Sequence, residues 1–179
     1  MPKKVFNRQI IPDSKIIKPK NGVLIDTGVW MHAAGPQSNP EDRRPKIYSN
    51  LLSEIIEFET KIFITEIIYS EIFNFLITYF KGHYNKSISN KKYKSTDHYA
   101  YHLESIYAYL DSISQTPGLE NISLADPSKC LQRLSSKLDF NDSVYVHLCM
   151  QGGLTMITDD RDFEDQPINI ITANRSYGK

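Results

Sequence analysis

A chain of 179 residues, 40% hydrophobic and 23% charged, has room for one domain with a full core and is too short for two of ordinary size. Its two cysteines, Cys130 and Cys149, exclude a disulfide framework and read as buried thiols, and no apolar run reaches the roughly eighteen residues of a membrane span. The 21 basic and 21 acidic residues cancel, but in segregated blocks, which implies a surface acidic in one place and basic beside it.

Residues 1–20 form a basic lead, with Lys3, Lys4, Arg8, Lys15, Lys18 and Lys20 against Asp13 alone. It has no apolar stretch followed by small residues, so it is not a secretory signal and a cytoplasmic location is expected. Residues 21–179 read as a single domain with a basic insertion over about 81–96. The first expected strand is "GVLID", whose Val23, Leu24 and Ile25 suit a strand buried on both faces. A short helix from Val29, a Pro- and Gly-rich loop over 35–45 and a helix with Ile47, Leu51, Ile55 and Phe58 on one stripe come next. "KIFIT" is the second strand, and Thr65 caps a long helix carrying Ile68, Ile72, Leu76 and Tyr79.

"KGHYNKSISNKKYKSTD" interrupts the pattern as a polar, basic connection, expected to be mobile and to lie beside the functional pocket. Helix resumes with Leu103, Ile106, Leu110 and Ile113 on one face and ends at Pro117 and Gly118. "ISLAD" (Ile122 to Asp126) is the third strand, and Pro127 opens a further helix. "NDSVYVHLCMQGG" is the last helix, stopped by Gly152 and Gly153; "LTMIT" and "INIIT" are the fourth and fifth strands. Strands alternating with helices give an α/β fold: a mostly parallel sheet of about four to five strands between two helical layers. In such sheets the reactive crevice lies at the carboxyl ends of the strands.

That end is where the acids fall. Asp26 and Thr27 follow the first strand, and Thr158, Asp159 and Asp160 follow the fourth. Glu71 lies two turns into the helix after the second strand, and Asp142 opens the helix before the fourth. Each has a bland alternative. Asp26 suits a helix cap, Asp139 and Asp142 suit a helix start, Glu71 an exposed helix face and "TDDRDFED" a solvated turn. Clustered carboxylates offer hard oxygen ligands for Mg²⁺ or Mn²⁺. The five histidines show no zinc spacing, His98 and His102 reading as a surface pair, and no glycine-rich phosphate loop occurs.

"VLIDTGVW", "ITEIIYSEIFNFL" and "LDFNDSVYVHLCMQGGLTMITDDRDF" resemble, in order and spacing, the three blocks of the PIN domain. This is the ribonuclease fold of many VapC-type toxins of toxin–antitoxin pairs, and the resemblance runs from about Gly22 to Thr172. It implies a PIN-like three-layer α/β/α sandwich and a metal-dependent endoribonuclease. Asp26, Glu71, Asp142 and Asp160 would be catalytic. Asp26, Asp142, Asp160 and, in reserve, Asp162 would hold the metal, with Thr27, Asp139 and Thr158 supporting. An antitoxin and a homodimer partner are implied too, exposed aromatics such as Phe73, Phe75, Tyr79 and Phe80 supplying an interface. The lysine-rich insertion supplies RNA contacts through Lys91, Lys92 and Lys94, with Tyr93 stacking on bases, unless it is only a solvated loop. Two other readings compete: a non-catalytic PIN-like scaffold for RNA or protein, and a Mg²⁺-dependent phosphatase-like domain, for which "DTG" lacks the second Asp of Asp-x-Asp.

Overall fold

The computed structural model describes residues 6–11, 17–36, 41–124, 126–134 and 137–177. The lead's Lys3, Lys4 and Lys15 lie outside the described residues. All strands belong to one parallel sheet: β1 Arg8–Ile10, β2 Val23–Ile25, β3 Ile62–Ile64, β4 Leu119–Asn121, β5 Thr155–Ile157 and β6 Asn169–Thr172. Their spatial order is β1-β6-β5-β2-β3-β4. Helices α1 Thr27–Ala34, α2 Arg44–Glu57, α3 Glu66–Tyr84, α4 Asn90–Tyr93, α5 Asp97–Ser114, α6 Ser128–Leu131 and α7 Phe140–Gly152 join them. The central strands β2 and β5 are buried at every residue, as the runs "VLI" and "TMI" require of a sheet covered on both faces.

Helical stripes bury as their spacing predicts. Ile68, Ile72 and Leu76 of α3 and Ile106 and Ile113 of α5 enter the core, with Leu103 and Leu110 packed partly against it, while Tyr79 is half-buried against the rings of Phe80 and His83. The Thr65 hydroxyl accepts from the Ile68 amide at 3.2 Å, the expected cap. α7 stops at Gly153, whose φ of +61° is left-handed and whose amide bonds back to the Cys149 carbonyl. Cys130 and Cys149 are both buried and free. No helix among the described residues is long and apolar enough to cross a membrane.

Three expectations are corrected. The sheet has six strands, because the basic lead itself contributes β1 at the edge beside β6. Its side chains are only half-buried, so no apolar run marked it. The third strand lies not at Ile122–Asp126 but three residues earlier, at Leu119–Asn121. Pairing with β3 starts directly after the Gly118 turn, whose carbonyl accepts from Ile62 at 2.9 Å, and the exposed Glu120 and Asn121 conceal an edge strand. The basic insertion is half helical: α3 runs on to Tyr84, and the short α4 follows with the Ser89 hydroxyl as its cap. Tyr93 is 0% exposed, its hydroxyl hydrogen-bonded to His102, so it fills the joint between helices and cannot stack on a base. Lys91, Lys92 and Lys94 remain exposed around it.

Arg8 gives β1 a second task. Its guanidinium donates to the carbonyls of Glu164 (3.1 Å), Gln166 (2.5 Å) and Ile168, tying the loop that leads from β5 to β6. Hydrogen bonds from a charged donor contribute about 1.5–3 kcal/mol each when sheltered. Arg8→Ala should therefore lower the urea-unfolding free energy by about 2–3 kcal/mol. Arg8→Lys should recover only a minor part, since one ammonium cannot span three carbonyls. Equal stability of the Lys variant and wild type would remove the staple.

Candidate active site

The sheet reverses its direction of winding between β2 and β5, and the loops leaving their carboxyl ends diverge there to open a crevice. Ile25 is level with Ile157, so Asp26 and Thr158 emerge side by side. Asp26 sits at the N-cap of α1 yet makes no side-chain capping bond, which sets aside the bland explanation for it. Its carboxylate instead accepts from the Thr158 hydroxyl at 2.8 Å, and that hydroxyl oxygen accepts the Asp160 amide at 3.0 Å. Thr158 thus links the first acid to the fourth.

Glu71 faces into the same crevice from the second turn of α3. Its Oε2 accepts from the Thr27 hydroxyl (2.5 Å) and the Tyr145 hydroxyl (2.9 Å), and its Oε1 from the Asn141 amide nitrogen (2.6 Å). Three side chains from two elements, α1 and α7, therefore hold this carboxylate in one orientation. Asn141 and Tyr145 escaped sequence reasoning, although their spacing of four on α7 puts them on one helix face. Thr27, expected beside the first acid, in fact serves Glu71.

At the start of α7, Asp139 and Asp142 form a reciprocal capping box. The Asp139 carboxylate accepts the Asp142 amide at 3.0 Å, and the Asp142 carboxylate accepts the Asp139 amide at 3.3 Å. The helix-start explanation is thus correct for Asp139, while Asp142, half-buried, also looks toward the other acids.

The block after β5 divides its carboxylates. Asp159 turns away, accepting from the Tyr48 hydroxyl (2.7 Å) and from Arg44 (3.0 Å), and so anchors α2 to the sheet. Asp160 caps the single 3₁₀ turn Arg161–Phe163 through the Asp162 amide. Its charge is the one from this block that acts on Asp26 and Asp142, whereas the charge of Asp162 acts on Lys137.

These acids work on one another. Burial, with the charges of Glu71 and Asp160 added, pushes the Asp26 carboxyl up to about 7 against the pull of the Thr158 hydrogen bond. Burial, then Asp139, Asp160 and Glu71, pushes Asp142 up to about 6. Among the described residues no three His, Cys, Asp or Glu side chains stand in a finished metal cage. The donor chemistry nevertheless fits a hard divalent cation. Carboxylates follow β2 and β5 and open α7, and two of them, Asp26 and Asp142, are raised first by burial and then by the neighbouring acids, a buried negative charge that a cation would offset.

Acids at the carboxyl ends of a parallel sheet, beside its point of reversal, define a class of α/β domain with an anionic crevice. The family profile described as PIN domain matches residues 23–169, and the chain belongs to that family. Among solved structures it is similar in fold to a chain of VapBC2 from Rickettsia felis, crystallised bound to a DNA fragment from their promoter. The TM-score is 0.54 at 16% identity, over 84% of this chain and 97% of that one. PAE2754 from Pyrobaculum aerophilum overlaps 87% of this chain and 86% of its own at 14% identity, with a TM-score of 0.49 too low to carry an argument. No curated protein matches the sequence.

Proposed function

We propose that this PIN domain is a metal-dependent endoribonuclease that hydrolyses phosphodiester bonds of RNA and acts in the cytoplasm as the toxin of a toxin–antitoxin pair. One observation carries the reading: at the carboxyl end of the sheet Thr158 bonds both the Asp26 carboxylate and the Asp160 amide, Thr27 beside Asp26 bonds Glu71, and the helix that Asp142 opens bonds the same Glu71 through Asn141 and Tyr145. Asp26, Asp142 and Asp160 would hold Mg²⁺ or Mn²⁺. When bound, such an ion neutralises charge on the phosphodiester and lowers the pKa of a coordinated water. Glu71, fixed by Thr27, Asn141 and Tyr145, is oriented to accept a proton from that water or to hold it in line. Thr158 keeps Asp26 and the Asp160 backbone at a set separation.

The fold shared with a VapBC2 chain supports a protein antitoxin as partner. Of the four aromatics expected at an interface only Phe75 is exposed, Phe73 and Phe80 packing against the core and Tyr79 being half-buried; Phe75 with the exposed Tyr101 and Tyr107 of α5 supports self-association into a dimer.

Cleavage of a single-stranded RNA in Mg²⁺ is the test, with two neighbouring variants as its internal control. Asp160→Asn should lose cleavage by about 10²-fold or more while keeping its fold, because it removes an anionic ligand of the metal that would neutralise the reacting phosphate. Asp159→Asn should keep cleavage and lose about 1–3 kcal/mol of stability, because it weakens the Arg44 and Tyr48 anchor. Wild-type protein that binds RNA but never cuts it would leave the scaffold reading in place.

A further inference from the structure

A cleft of about 1010 Å³ lies between the start of α2 and the turn after β6, lined by Glu41, Asp42, Arg43, Arg44, Lys46, Ile47, Ala173 and Arg175. That volume is at the upper end of the range for ligand clefts. Four of the lining side chains are cationic and two anionic, on a chain whose total charge is zero. Arg43, Lys46 and Arg175 are exposed. Arg44 is held by Asp42 and Asp159, and its guanidinium and backbone amide bonds to Asp42 hold that carboxyl down at about 2, so this pair stays charged and mutually satisfied.

The cleft borders the turn after β5, on the side to which Asp159 points. Asn174 donates its amide to the Asp159 carbonyl at 2.8 Å, and the Ala173 amide donates to the Tyr48 hydroxyl at 2.9 Å. Tyr48 and Arg44 grip the Asp159 carboxylate, and the next residue is Asp160. β6 neighbours β5 in the sheet, so the turn after β6 emerges at the same carboxyl end as Asp26 and Asp160. The lysines of the insertion stand elsewhere. Tyr84 stands thirteen positions beyond Glu71, about 20 Å along α3 at 1.5 Å per residue, before α4 begins.

We infer that this cleft, through Arg43, Lys46 and Arg175, is the track that grips the phosphate backbone of a single-stranded RNA beside the scissile bond, in place of Lys91, Lys92 and Lys94. The inference rests on the nuclease reading above for its substrate. An acid crevice repels a polyanion, and a cationic groove one strand away offsets that repulsion while placing the chain across Asp160. Guanidinium groups suit the task because they bond phosphate oxygens in a two-pronged fork.

The test is the salt dependence of binding to a fluorescent oligouridylate in EDTA, where cleavage plays no part. For single strands the slope of log K against log salt is about −0.7 per phosphate neutralised. Changing Arg43, Lys46 and Arg175 together to Gln should make that slope shallower by about 2, three contacts at about 0.7 each, and weaken binding at low salt. The triple Ala variant of Lys91, Lys92 and Lys94 should leave the slope unchanged. Circular dichroism melting checks that both variants fold, and Arg175→Glu alone is the fallback if the triple change does not. A slope altered by the insertion lysines and not by the cleft overturns the proposal, as does absence of measurable binding by wild type. Cleavage in Mg²⁺ with an unaltered slope in the cleft variant would refute the track and leave the nuclease standing; the altered slope without any cleavage does the reverse.

Discussion

Replacing Asp26 by Asn should abolish RNA cleavage and at the same time make the metal-free protein more stable at neutral and alkaline pH. The loss follows from removing the acid at the centre of the crevice: about 10³-fold in rate, or roughly 4 kcal/mol of transition-state stabilisation, is the expected scale. The gain follows from burial. A carboxyl whose folded value is raised to about 7 binds its proton more tightly in the native state than in the unfolded one. Stability is therefore lost as pH rises from the ordinary carboxyl value toward 7, and the deficit is complete above it. Over about three pH units that amounts to as much as about 4 kcal/mol, which Asn never incurs. Urea titrations in EDTA at pH 5 and pH 8 should show the stability advantage of Asp26→Asn widening at the higher pH. A constant difference would mean that Asp26 ionises like a surface carboxylate. In cells, expression of the wild type should slow growth and Asp26→Asn should not; equal, unimpaired growth for both would refute the toxin role.

Mg²⁺ or Mn²⁺ should raise the melting temperature of the wild type strongly at pH 8 and weakly at pH 5. At pH 5 both Asp26 and Asp142 lie below their raised values of about 7 and about 6, so protons occupy the donors that the ion needs. At pH 8 both are ionised and repel, and a cation relieves that repulsion in the native state alone. At a hundredfold excess over its dissociation constant an ion contributes about 2.7 kcal/mol, which for a domain of this size is a shift of about 5–10 °C. Asp26→Asn should lose most of the shift. Superposable melting curves with and without the ion at pH 8 would dispose of the metal site, whatever the activity.

The candidate site's place in the fold was legible where an acid stands at a strand end. Asp26, Thr158 and Asp160 follow buried apolar runs, and a run that stops at an acid marks both the strand and the crevice in one signal. Asp139 and Asp142 were legible as a helix start for the same reason, since a capping box is local in sequence. What could not be read were partnerships between distant segments. Tyr145 looks like one more core aromatic of α7, and only the tertiary fold brings its hydroxyl to Glu71 of α3. Asp159 and Asp160 are chemically identical neighbours, and Arg44 and Tyr48 on α2 decide which of them turns outward. Edge strands were the weak point of the fold. Arg8–Ile10 and Leu119–Asn121 owe their extended form to backbone pairing with β6 and β3, not to side-chain pattern. Tyr93 misled for the opposite reason: an aromatic among lysines resembles a nucleic-acid contact, yet it closes a joint between helices.

The 19-residue α3 has Glu71 near its start and the buried Tyr93 joint just past its end, with α5 returning alongside. The two ends of this helical arm answer to different pressures. Only the first two turns of α3 are held to ångström tolerance by Thr27, Asn141 and Tyr145, while the remainder needs no more than an apolar seam against α5. Descendants of this gene could lengthen or shorten both helices by about seven residues, two turns, and keep that seam in register. The arm is thus where such a lineage has freedom to vary its outline, and the crevice is where it has almost none.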